Sequence, residues 1–133
     1  MLLSRYILFA ILVLASFTAC EKKDPAKPAV NPTIQFRTGE GYTHTNETVN
    51  PGDEVLIGVL IERGTDAMHH FKVTVSYDGG TPQVTDSLPM GIDSFEFDKL
   101  VITRQQAGTE RWSFNVVEND GDVIRRALTF TVL

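Results

Sequence analysis

The side chains able to do chemistry in this 133-residue chain are few, and their spacing limits what they can do. His44, His69 and His70 raise the question of a metal held by imidazole nitrogen. Neighbouring residues on a strand face opposite sides of a sheet, so His69 and His70 are not expected to share one ion, and no His-x-x-x-His or cysteine pair accompanies them. Glu118, Asp120 and Asp122 gather hard carboxylate oxygens around Gly121, a donor set that suits calcium. Calcium-loop spacing is nevertheless missing: with Gly121 at the sixth position the first falls on Val116, which offers no side-chain oxygen. A solvated turn is therefore expected there, with neither metal nor cofactor. No Gly-x-Ser-x-Gly elbow, phosphate-cradling glycine loop or His-Glu-x-x-His is present. Carboxylate pairs such as Asp93 and Glu96 arise by chance in any acidic β-protein. No catalytic residue is assigned, and the expectation is a protein that is not an enzyme.

Cys20 stands apart as the single cysteine of the chain. No disulfide can form within one molecule, so any folded part must be held by its core alone. Met1–Arg5 carries one positive charge, and Tyr6–Ala19 (YILFAILVLASFTA) is an uncharged run of 14 residues. A spanning helix needs about 20 apolar residues, and Glu21, Lys22, Lys23 and Asp24 follow at once, so the run reads as the core of a cleaved signal peptide. Phe17-Thr18-Ala19-Cys20 resembles the bacterial lipobox, with Phe17 where leucine is more usual. That resemblance implies cleavage between Ala19 and Cys20 and acylation of Cys20 with palmitate-type chains. Each buried methylene contributes about 0.8 kcal/mol, so two or three chains make a lasting anchor where one is reversible.

Glu21–Pro32 (EKKDPAKPAVNP) is polar, carries three prolines and lacks apolar periodicity. It reads as a tether reaching on the order of 35 Å at about 3.1 Å per residue. Lys22-Lys23-Asp24 resembles the export signals that follow the lipidated cysteine in surface lipoproteins of the Bacteroidota, with Pro25 in place of a second acidic residue. The resemblance implies an outer-membrane address and leaves the periplasmic or surface face open. The formal charge is −5, and signal cleavage would remove one positive charge, Arg5, and no carboxylate. Such a chain is a poor partner for nucleic acid. Lys and Arg are scattered along the sequence rather than clustered, which argues against docking on anionic lipid headgroups.

From Thr33 onward apolar residues recur with period two and no window presents a helical face. Phe71, Val73, Val75 and Tyr77 point one way and Lys72, Thr74 and Ser76 the other, before Asp78-Gly79-Gly80 turns the chain. Trp112, Phe114 and Val116, then Leu128, Phe130 and Val132, flank a turn at Asp120-Gly121 and predict a terminal hairpin. Asp53–Arg63 is apolar on both parities, as a central or twisted strand is. Thr33–Thr38, Gln83–Ser87 and Ser94–Thr103 are the other candidates, the last with a parity break at Asp98-Lys99 that predicts a bulge or a change of sheet.

About seven strands over roughly 100 residues predict an all-β, antiparallel, immunoglobulin-like sandwich. Pro51-Gly52-Asp53-Glu54-Val55 resembles the "PGD" lead-in to the second strand of bacterial immunoglobulin-like domains, and Trp112–Leu133 is similar to their final hairpin. Without the antibody cysteine pair, Trp112 is expected to pack on aliphatic side chains. The organisation read from sequence is a signal peptide at 1–19, lipidated Cys20 and a flexible tether at 20–32, and the sandwich at 33–133.

The function expected is a lipid-anchored cell-envelope module, non-catalytic, that binds a protein or glycan partner; the alternatives are a structural envelope spacer without a specific ligand and, behind it, an enzyme of unknown type. Its contacts are expected in the loops Gly39–Asn50, Gly64–His69 and Ser87–Asp93 or on an exposed sheet face. Asp86-Ser87-Leu88 resembles the Asp-Ser/Thr-apolar acceptor of Bacteroidota O-glycosylation, which marks Ser87 for modification. Asn46-Glu47-Thr48 fits an N-glycosylation acceptor, but bacterial lipoproteins do not ordinarily meet that machinery.

Overall fold

Period-two alternation requires each strand to bury one row of side chains, and two such sheets facing each other satisfy all of them. The computed structural model describes residues 24–91 and 94–133 and realises this arrangement with eight strands. They are β1 (Thr33–Phe36), β2 (Glu47–Val49), β3 (Glu54–Glu62), β4 (Met68–Tyr77), β5 (Gln83–Pro89), β6 (Ser94–Ile102), β7 (Gly108–Glu118) and β8 (Val123–Val132). One sheet has the order β1-β3-β6 and the other β2-β8-β7-β4-β5. The fold is an all-β immunoglobulin-like sandwich.

Two details differ from the expected seven antiparallel strands. β2 is an additional strand, and it lies parallel to β8, with Val49 opposite Val132. Only Val49 of its three residues is buried, which is too short a pattern to read from alternation. β6 shows neither bulge nor change of sheet: it pairs with β3 without interruption from Ser94 to Ile102. Phe95, Phe97, Lys99 and Val101 form its inward row. Lys99 keeps an inward position because its stem lies along apolar surface while Nζ reaches Asp86 Oδ2 of β5 at 2.7 Å. This bond fastens the edges of the two sheets.

Phe71 of β4, Phe114 of β7 and Phe130 of β8 are fully buried. Phe71 meets Phe95 and Phe97 of the opposing sheet edge-on, with centroids 5.4 and 5.2 Å apart. Each such ring removed from water stabilises the fold by about 1.5–3 kcal/mol. Trp112 is buried as expected but does not rest on aliphatic groups alone. Its indole N–H donates to Glu110 Oε2 at 3.1 Å, and Lys99 Nζ lies 5.6 Å from its ring centroid. Glu110 is fully buried with both oxygens accepting, Oε1 from the Arg104 backbone N–H at 2.6 Å.

Turn chemistry follows the sequence closely. Both expected turns form, with positive φ at Asp78 and Gly79 in one and at Gly121 in the other, and Gly52 in the Pro51-Gly52-Asp53 lead-in has φ 79°. β7 and β8 form the expected terminal hairpin. Order begins before β1: the Thr65 N–H donates to the Val30 carbonyl at 2.7 Å and the Val30 N–H to Thr65 Oγ1 at 2.8 Å. The tether is therefore pinned to the β3–β4 connection two residues before its expected end.

Candidate functional site

Strand register decides which polar residues share a face. In the five-stranded sheet the inward rows are Phe71, Val73 and Val75 on β4, alternate residues Glu110 to Glu118 on β7, and Leu128, Phe130 and Val132 on β8. The alternate positions form the outer face. There Ser87, Lys72, Asn115 and Arg125 stand opposite one another across β5, β4, β7 and β8. Parallel rows carry His70 opposite Val117, and Ser76 opposite Arg111, which stands opposite Thr129.

Lys72, Arg111 and Arg125, scattered in sequence, thus become one cationic face. Arg125 Nε donates to Asn115 Oδ1 at 2.6 Å, and Asn115 Nδ2 donates to the Lys72 carbonyl at 3.3 Å and the Ser113 carbonyl at 3.2 Å. Asn115 is buried although it points outward, so its hydrogen bonds hold Arg125 flat against the sheet. Asn46, Glu47, Thr48, Thr129 and Thr131 line a shallow polar depression at the β2 edge of this face, where Glu47 is an acidic neighbour.

The opposite outer face, on β1-β3-β6, has the other sign. Glu54 and Glu62 of β3 and Glu96 and Asp98 of β6 point outward there. Arg37 crosses it, pairing with Glu96 and Asp98 and donating to Tyr42 Oη at 2.8 Å, while Tyr42 Oη donates to Asp98 Oδ2 at 3.0 Å. Only glycine fits beneath them: a Cβ on Gly58 would lie 2.6 Å from Arg37 Cδ and 2.7 Å from Tyr42 Cε1. The Tyr42 hydroxyl is the main cause of the raised Arg37 pKa, with Glu96 and Asp98 adding to it against partial desolvation. This cluster explains why β3 is apolar on both parities, because its outer row is partly roofed by the Arg37–Thr43 segment, tied by Thr43 N–H to the Leu56 carbonyl.

Sequence-predicted residues are placed unevenly. Ala19 and Cys20 lie outside the described residues, as do Ile92 and Asp93 of the Ser87–Asp93 loop. Ser87 is not in a loop: it is exposed on edge strand β5 and its hydroxyl shares a hydrogen bond with His70 Nε2. His69 and His70 do not face opposite sides as ideal alternation requires. A register irregularity between Met68 and His70 lets their rings lie 6.0 Å apart at 33°. His44 lines a separate depression with Gln35, Phe36, Thr38 and Arg126. The candidate loops Gly64–His69 and Ser87–Asp93 meet at one end of the sandwich, where Met90 N–H donates to the His69 carbonyl. Gly39–Asn50 instead runs alongside the strands and contains β2. Glu118, Asp120 and Asp122 each bring a carboxylate oxygen within 4.8 Å of the other two.

No protein-family model matches this sequence, and no curated protein matches it. Among solved structures, the chain is similar to murine CRIg at 12% identity and a TM-score of 0.40, over 78% of this chain and 99% of that one. A chain from a complex of a CaDoc0917 variant with CaCohA2 is similar at 15% identity and a TM-score of 0.36, over 76% of this chain and 100% of that one.

Proposed function

We propose that this protein is a lipid-anchored cell-envelope module, non-catalytic, that docks an acidic protein surface on the outer face of its five-stranded sheet. The observation that carries this reading is the segregation of charge. A chain of net charge −5 gathers Lys72, Arg111 and Arg125 on one face, while Glu54, Glu62, Glu96 and Asp98 occupy the other. Such a dipolar sandwich orients an approaching partner before contact and raises its association rate. The outward strand positions of the cationic face hold no Phe, Tyr or Trp, which suits a protein partner better than a stacked sugar.

Cys20 supports the address within this proposal: acyl chains hold the module to the outer membrane, and the tether sets it off from the bilayer. Exposure of Ser87 at the sheet edge supports its assignment as an O-glycosylation acceptor beside the docking face, and mass analysis of the native protein showing an unmodified Ser87 removes that part.

The docking reading is tested by crosslinking and affinity capture of the membrane-anchored chain. The partner recovered with wild type should be lost from Lys72→Glu/Arg111→Glu and retained by Glu54→Lys/Glu62→Lys. Equal capture by both double variants overturns the assignment of the face.

A further inference from the structure

The carboxylates of the β7–β8 turn are held together by more than their place in sequence. Glu118 ends the inward row of β7 and is only 3% exposed, and its Oε1 is buried with no hydrogen-bond partner among the described residues. A buried, unpaired carboxylate oxygen is costly enough that folded proteins rarely retain one without a compensating group. Around it the turn is tightly closed. Glu118 N–H donates to the Asp122 carbonyl at 2.9 Å, Gly121 N–H to the Glu118 carbonyl at 3.0 Å, and Asp122 N–H to Asp120 Oδ1 at 3.1 Å.

A fourth acidic residue comes from another element. Asp66 lies in the β3–β4 connection, which is joined to the turn by Asn119 N–H donating to the Ala67 carbonyl at 2.9 Å. Burial raises the pKa of Glu118, and Asp120, Asp66 and Asp122 raise it further, so the charges that act on it are all negative. Among the described residues no cationic group acts on Glu118.

We propose that Glu118, Asp120 and Asp122 form a calcium-binding site at the tether end of the sandwich, with Asp66 as the adjoining carboxylate. The donors are all hard oxygens, which exclude a thiolate- or imidazole-type zinc site. One oxygen from each of the three residues lies within 4.8 Å of the other two, close enough to gather around one hard cation. Calcium takes six to eight oxygens in a flexible geometry and completes a partial protein set with water, whereas magnesium demands a near-ideal octahedron, so calcium is the cation this set suits. The residues escape a loop motif because the ligands alternate along the end of a strand and its turn rather than following a calcium-loop spacing. The ion would tie the terminal hairpin to the β3–β4 connection, which itself holds Val30 of the tether.

The test is calorimetric titration of the full-length chain, purified in detergent, with calcium chloride and separately with magnesium chloride, together with thermal melts. One calcium per chain is expected, with a dissociation constant of about 10⁻⁴–10⁻³ M, typical of extracellular modules, and weaker magnesium binding. Calcium should raise Tm. Glu118→Gln and, as an exposed variant whose folding is not at issue, Asp120→Asn should each weaken binding at least about tenfold, a reasonable loss for one charged ligand. In EDTA, Glu118→Gln should melt no lower than wild type, because it removes a buried charge that lacks a partner. Absence of calcium heat together with an unchanged Tm overturns the site, as does one-to-one binding that persists in both variants.

Discussion

Buried carboxylates at the two ends of β7 behave in opposite ways. Glu110 has a donor for each oxygen, whereas Glu118 has an orphan oxygen and acidic neighbours. Replacing Glu110 with Ala leaves the Trp112 indole N–H and the Arg104 backbone N–H unpaired beside a cavity, and should cost about 3–5 kcal/mol. Glu110→Gln, which keeps one acceptor, should lose visibly less; equal denaturant midpoints for the two variants would contradict this role. At the rim, the Arg104 guanidinium donates twice to Asp78 at 2.7 Å and the Thr109 N–H once at 2.8 Å. Arg104 first and the Thr109 N–H second hold the Asp78 carboxyl below its ordinary pKa. A lowered folded-state pKa means stability that is present above the unfolded value, about 3.9, and lost as pH falls through the folded one. Wild type should therefore outlast Asp78→Asn in thermal melts at pH 7, and the gap should close below about pH 4. A gap that stays constant with pH would count against the ion pair.

At the scale of elements, the most consequential contact is between the tether and the β3–β4 connection. A Cβ on Gly64 would lie 1.9 Å from the Val30 carbonyl oxygen and 2.6 Å from the Asn31 carbonyl carbon. These are backbone atoms, so they cannot rotate away. Gly64→Ala should release residues 30–32, and limited proteolysis should then cut nearer β1 than in wild type. An unchanged cleavage pattern would show that the contact does not hold the tether. β5 and β6 are a second pair of elements, bridged by the Lys99–Asp86 ion pair between groups only 20% and 26% exposed. Alternation at β6 is broken by Lys99 when read as sequence, because a lysine looks polar while its aliphatic stem lies in the core layer.

For the whole molecule, the proposal places a lipid anchor at one end and a docking face along the side, so that address and recognition are separable. Cys20→Ser should abolish incorporation of labelled palmitate and release the chain from membranes while leaving the charged face intact. Continued labelling and membrane retention would remove the anchor from the proposal. The charge-reversal variants on the sheet should show the converse, with membrane retention unchanged and partner capture lost. Ionic strength gives an independent check, because docking through half-buried Lys72 and exposed Arg111 and Arg125 would weaken as salt shortens the Debye length to about 8 Å at 0.15 M.

Much of the fold was legible along the chain because it depends on local chemistry. Period-two alternation marked β4, β7 and β8, and glycine at positive φ marked the turns at Gly79 and Gly121. β2 escaped because three residues with one buried side chain carry no period, and its parallel partner β8 lies some eighty positions away. The candidate site was legible only in parts. Ser87, the three histidines and the Glu118–Asp122 carboxylates could be named from their types, but not what they meet. Lys72, Arg111 and Arg125 form a face only once cross-strand register places them together, and Asp66 reaches the terminal turn only through the β3–β4 connection. Sequence by itself determined seven of the eight strands among the described residues, their turns and the disulfide-free character of the core, since these follow from side-chain period, turn residues and a single cysteine. Tertiary structure alone decided which charges share a surface and which carboxylate is left buried without a partner, because both depend on distances between residues far apart in the chain.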